Sequence, residues 1–187
     1  MFLEADISEL SGDTDEARAI YSELDSFRRS LYLLPAKNLE ISMRRVQYEV
    51  RQSQFADAME ILSGLVFKSN LKIASKVYVL NELLALMRRV VKINPQKATK
   101  EDSVKLLEAA IKELPFSRLV YNLYCDYLVD NIGYTETVRK IVKVFEGALP
   151  RAKKVSEHEF NMTLHMYQST VRSVCRNINL IFKIEKK

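Results

Sequence analysis

Apolar residues recur every three to four positions along nearly the whole chain, and no segment alternates with period two for long. That spacing predicts helices, and local stop and start signals divide them. Phe2, Ile7 and Leu10 share the face of a first short helix closed by Gly12. Asp13 and Glu16 form a capping box that opens a second helix over about 14–26. After the break at Leu34-Pro35, a helix over about 38–51 presents Leu39, Met43, Val46 and Val50. The next, over about 54–67, presents Phe55, Met59, Leu62 and Val66. A longer one over about 70–92 carries Ile73, Val77, Leu80, Leu84, Met87 and Val91, and Asn94-Pro95 ends it. Thr99 and Asp102 cap a helix running to Leu114, where Pro115 stops it. Another spans about 117–130 and ends near Gly133. Thr135 caps a helix expected to stop at Leu149 because Pro150 follows. Ser156 and Glu159 cap the last one, which extends toward Phe182.

Taken in pairs, the second helix of each pair carries a related string. The four copies are Ala17-Arg18-Ala19-Ile20-Tyr21, Ala58-Met59-Glu60-Ile61-Leu62, Ser103-Val104-Lys105-Leu106-Leu107 and Ile141-Val142-Lys143-Val144-Phe145. They are 41, 45 and 38 residues apart. A period near 40 built from helix–turn–helix units predicts an all-α solenoid, because one hairpin cannot bury its apolar face alone. The expected architecture is about four helix pairs over 1–150, with a C-terminal capping or dimerisation helix over 151–187.

These strings resemble the half-a-TPR (HAT) repeat, which has an aromatic and a Glu in its first helix and Ala-Arg-x-Ile-Tyr in its second, often followed by Pro. Phe2 and Glu4 precede Ala17–Tyr21, Tyr48 and Glu49 precede Ala58, and Pro115 and Pro150 follow the third and fourth second helices. The later copies lack the Ala-Arg pair. Asn38–Val46, Phe55–Ala58 and Leu106–Ile111 are similar to the C-terminal half of the pre-mRNA-processing factor 39 family. The resemblance covers about 1–150. It implies a right-handed HAT/TPR-like solenoid, nuclear location, and a non-enzymatic role in pre-mRNA splicing with the U1 small nuclear ribonucleoprotein. It also implies pairing through the C-terminal repeats, with a second copy or a paralogue. The HAT subunit of the mRNA 3′-end cleavage machinery and pre-ribosomal HAT proteins are the rival assignments.

Composition fits a helical domain. Among 187 residues there are only four Gly and four Pro, and 48% are hydrophobic. No stretch is apolar and long enough for a membrane span. Cys125 and Cys175 lie inside helical patterns, which argues against a disulfide framework and for a reducing compartment. The chain opens within a helical pattern, as expected of a piece of a longer repeat protein. The net charge of +5 is unevenly spread. Residues 1–26 carry eight acids and one base, whereas 151–187 carry eight bases and three acids. A basic tail of this kind suits RNA, an acidic partner, or simple solvation.

Catalytic groupings are not evident. The four glycines, Gly12, Gly64, Gly133 and Gly147, form no phosphate loop. His158 and His165 are seven apart, not the i, i+4 of a zinc helix, so neither a metal nor any other cofactor is expected. Asp126 and Asp130 read as solvated charges, and Cys125 as an inert buried thiol. Tyr121, Tyr124 and Tyr127 fit inter-helix packing better than base stacking. Two groups remain as candidate partner surfaces. Arg44-Arg45 and Arg88-Arg89 on first helices make a candidate basic ridge for phosphates or acidic proteins, unless acids such as Glu49 and Glu82 neutralise it. Phe160, Leu164, Tyr167, Val171, Val174, Ile178 and Ile181 form a heptad seam on the last helix, suited to a two-fold dimer or to capping the fourth repeat. The expected partners are protein subunits of an RNA-processing particle, with at most weak RNA contact and no small molecule or membrane.

Overall fold

The computed structural model describes residues 2–30, 35–94 and 98–184, with side chains at 2–26, 37–94, 98–133 and 135–174. Among the described residues there are nine helices and no strand. They are α1 (Phe2–Ser11), α2 (Thr14–Ser30), α3 (Pro35–Arg51), α4 (Phe55–Phe67), α5 (Ile73–Ile93), α6 (Lys100–Glu113), α7 (Arg118–Asn131), α8 (Tyr134–Val155) and α9 (Glu157–Ile184). The chain divides into two compact units, Met1–Leu86 and Met87–Lys187, with the division inside α5. In the first unit α1 packs on α2, α3 on α4, and α2 on α3. In the second the closest pairs are α6 with α7 and α8 with α9, and α7 also touches α8 and α9.

Local chemistry accounts for most helix ends. Gly12 adopts φ +88°, its N–H donates to Glu9 O at 3.1 Å, and Asp13 N–H donates to Ser8 O at 2.9 Å. This paired closure satisfies carbonyls that the last turn of α1 leaves open. α3 closes in the same way, with Ser53 N–H on Val50 O and Gln54 N–H on Glu49 O, but the left-handed position is held by Ser53 at φ 59°. A side chain there is strained. The capping box at Thr99 forms in full, since Thr99 Oγ1 accepts from Asp102 N–H and the Asp102 carboxylate accepts from Thr99 N–H at 3.0 Å. That bonding holds the Asp102 carboxyl below its usual range. Asp13 accepts from Glu16 N–H at 3.0 Å, and Ser156 from Glu159 N–H at 3.1 Å.

The repeated string marks the core. Its first residue is buried in every copy, at 0% exposure for Ala17, Ala58 and Ser103 and 1% for Ile141. Its fifth is buried as well, with Tyr21, Leu62, Leu107 and Phe145 all at 2% or less. Residues i and i+4 share a helix face, so each copy turns one edge inward.

Four expectations are corrected. Ile7 and Leu10, read with Phe2 as the apolar face of α1, are 56% and 88% exposed, and Ala5 and Ser8 are the buried positions there. Pro150 does not end α8, which runs on to Val155. Proline removes only the bond to the Glu146 carbonyl, and burial of Ala152 at 1% exposure anchors the turn beyond it. In the same turn Arg151 Nε donates to Gly147 O at 2.9 Å. Thr135 is not the cap, because α8 begins at Tyr134 with Gly133 in the N-cap position and no side-chain cap. Ile73, at the first position of α5, is 61% exposed, outside the buried stripe of Val77, Leu80, Leu84 and Met87.

The two helix closures give opposed outcomes on substitution. Ser53→Gly should stabilise the chain by about 0.5–1 kcal/mol, and Gly12→Ala should destabilise it by about 1 kcal/mol, read from urea-unfolding midpoints. A loss of stability in Ser53→Gly would mean that the serine side chain contributes more than its backbone conformation costs.

Candidate functional site

The acids that crowd residues 1–26 find their bases on α3. Glu9 receives a two-pronged contact from Arg51, with Arg51 Nε donating to Glu9 Oε1 at 2.6 Å. This contact holds the Arg51 guanidinium further toward its charged form. Asp6 lies 3.7 Å from Arg44 Nη1 and also accepts from the Tyr21 hydroxyl at 3.1 Å. Asp25, itself buried, sits 3.4 Å from Arg45 Nη1. At the centre is Glu49, 2% exposed, with Arg18 Nη2 at 3.2 Å and Arg45 Nε at 3.9 Å. Beside this cluster Tyr21 and Tyr48 bring their rings to 5.1 Å, and burial pushes both phenols up.

The candidate basic ridge therefore reads differently in the two units. Arg44 pairs with Asp6 and Glu40 and lies 4.6 Å from the centre of the Phe2 ring. Arg45 pairs with Asp25 and Glu49, as the neutralising alternative anticipates. Arg88, in the other unit, stands 5.2 Å over the Tyr127 ring, and Arg89 is not free either. All four are engaged within the protein.

In the second unit Tyr121, Tyr124 and Tyr127 are buried at 1% exposure or less, so none is a platform for bases. Tyr121 stacks on Phe145 at 5.1 Å, and Phe145 meets Tyr167 at 5.0 Å, which links α7, α8 and α9. Tyr124 donates to Glu108 at 3.2 Å, and burial followed by that carboxylate raises its pKa. Cys125 is buried, and desolvation with Asp126 nearby pushes its thiol up to about 12, so the thiolate is scarce at neutral pH.

The seam on α9 is used in part by its own chain. Val174 is buried and Tyr167 is in the aromatic ladder, with Thr163 and Met166 buried beside them. Phe160, Leu164 and Val171 are half-buried along one flank. The side chains of Ile178 and Ile181 lie outside those described.

Three surface grooves accompany these features. One of about 630 Å³ lies between α7 and α9, with Asp126, Asp130, Ser169 and Ser173 on its walls. One of about 590 Å³ in the first unit is lined by Asp25, Arg45, Asp57, Glu60 and Lys68. A cleft of about 180 Å³ holds Phe116, Arg118, His158 and His165. Among the described residues no group of three His, Cys, Asp or Glu is placed to hold a metal.

One surface escaped the sequence reading. Arg139, Lys143, Lys153 and Lys154 on α8 are all exposed, and none has an ion pair among the described residues. Dividing the chain at Pro150 had split this helix and its charges in two. The i, i+4 spacing of Arg139 and Lys143, with Lys154 three turns further along the same face, is the signal that finds them.

No family model, curated protein or solved structure matches this chain. Among the described residues no helix is long and apolar enough to cross a membrane.

The two kinds of arginine contact separate on mutation. Glu49→Ala takes the charged hydrogen bond from Arg18, leaves Arg45 with Asp25 alone, and should cost about 2–3 kcal/mol. Arg44→Ala removes pairs at the surface and should cost less than about 1 kcal/mol. Equal losses in chemical denaturation would remove Glu49 from the centre of the first unit.

Proposed function

We propose that the chain is a non-enzymatic HAT-like scaffold, a right-handed α-solenoid segment that assembles an RNA-processing particle in the nucleus. The observation that carries this reading is where the motif residues meet. Arg18 of the Ala-Arg-x-Ile-Tyr string pairs with Glu49 of the following first helix, and Tyr21 of that string packs on Tyr48. Two residues of the first string thus contact the following helix pair, as stacking of repeats requires.

Within that class, the resemblance favours a U1-associated splicing factor over the HAT subunit of the 3′-end cleavage machinery. Self-association through α9 belongs to the same reading. It would use the half-buried flank of Phe160, Leu164 and Val171, while Met166, Tyr167 and Val174 cap the chain's own helices.

Two measurements test this. Tagged chain purified from nuclear extract should retain U1 small nuclear RNA above the level seen with a Glu49→Ala control. Retention of cleavage-machinery proteins without U1 RNA would transfer the assignment to the rival particle, and retention of neither would sink the scaffold reading. Sedimentation at micromolar concentration should give a dimer that Val171→Asp converts to a helical monomer. A monomeric wild type would leave α9 as a cap only.

A further inference from the structure

Four of the five exposed bases of α8, Arg139, Lys143, Lys153 and Lys154, form one band, and the fifth, Arg151, lies at its edge with Nε donating to Gly147 O. Arg139 and Lys143 are four residues apart, about 6 Å along the axis, and Lys154 recurs on the same side after about 16 Å more. Lys153 flanks that line. Between the two ends stand Gly147, Pro150 and the exposed Glu146, so one carboxylate lies within the band, and a methyl group added at Gly147 would meet nothing within 4 Å. The opposite face, with Thr137, Ile141, Phe145, Ala148 and Ala152, is the buried one, so the band points away from the core. Its acids are few. Glu136 is already paired with Lys140 at 3.5 Å, and Glu146 is the one other carboxylate on α8. The contrast with the first unit is direct: there arginines meet carboxylates, whereas here four bases have none.

We propose that this face of α8 is a contact surface for the sugar–phosphate backbone of RNA, an inference that rests on the RNA-processing reading for its choice of polyanion. The chemistry of the band selects among partners. Protein interfaces concentrate binding energy in aromatic and other apolar anchors and are depleted in lysine. Three of the four bases here are lysines, which bind phosphate as point charges. Among the described side chains of α8, Val155 at the last position is the one large apolar group that is exposed. An amphipathic membrane-surface helix also needs an apolar face to insert, and that of α8 is packed in the core. Among the described side chains of α8 no aromatic is exposed for stacking on bases, so binding through the band is sequence-tolerant.

The test uses the whole chain and a short fluorescein-labelled oligouridylate, with affinity followed by anisotropy against salt. Four phosphate contacts to a single strand give a log–log slope of about −3, or about 50-fold weaker binding between about 50 and 200 mM salt. Changing Arg139, Lys143, Lys153 and Lys154 to Gln should flatten the slope toward zero, with the helical circular dichroism unchanged. A control with Lys72, Lys92, Lys100 and Lys112 changed to Gln removes the same charge from exposed positions outside α8 and should keep most of the slope. Equal losses in both variants would overturn the proposal in favour of diffuse net charge. Full binding in the α8 variant would overturn it in favour of the basic residues beyond α8. Equal affinity for anionic phosphatidylserine vesicles or for an acidic peptide at matched charge would also overturn it. None of these outcomes bears on retention of U1 RNA through protein subunits, so this contact and the scaffold reading fail separately.

Discussion

A carboxylate removed from water must be matched by positive charge and hydrogen bonds, or folding pays several kilocalories for it. Glu49 is such a group, and the first unit is arranged around its needs. Arg18 arrives from α2 and Arg45 from the preceding turn of α3, so the carboxylate is satisfied only when the two helices are docked. Docking in turn brings Tyr21 against Tyr48 and places Arg44 and Arg51 opposite Asp6 and Glu9. One buried charge thus sets the register of two hairpins. The surrounding surface pairs add little individually but agree with it.

The second unit solves the same stacking problem without a buried ion. Ser103 and Ile141 stand where the first copy has Ala17, and the arginine at the next position is replaced by Val104 and Val142. Aromatic packing takes over, with Phe145 between Tyr121 and Tyr167. Stacked and tilted ring contacts of this kind need no charge compensation. The tyrosine hydroxyls still reach partners, Tyr121 on Pro115 O and Tyr124 on Glu108, which keeps their polar ends from being stranded.

Much of this was legible in the sequence, because it is local. Caps at Thr99, Asp13 and Ser156, the closure at Gly12 and the inward edge of each repeated string follow from residue type and spacing. Helix α8 was misjudged because proline's preference against helix interiors was given more weight than the burial of Ala152 beyond it, and tertiary burial overrode propensity. The basic ridge was half-legible. Its residues were visible, and so were the acids of 1–26, but a sequence does not say which acid meets which base across 31 or 42 residues. Likewise the heptad on α9 gave the apolar positions without saying which neighbour they face.

The segregation of charge between the first two helices and α3 also bears on order. A chain of look-alike hairpins can stack in the wrong sequence, and each wrong neighbour offers nearly the same apolar face. Offered to the acids of α1 and α2, helix α7 would bring one base, Arg118, and two further carboxylates, Asp126 and Asp130. Like charge would meet like, whereas α3 brings Arg44, Arg45 and Arg51. The ion pairs of the first unit therefore act as an address label, discriminating the correct neighbour from a similar one more than they strengthen the fold.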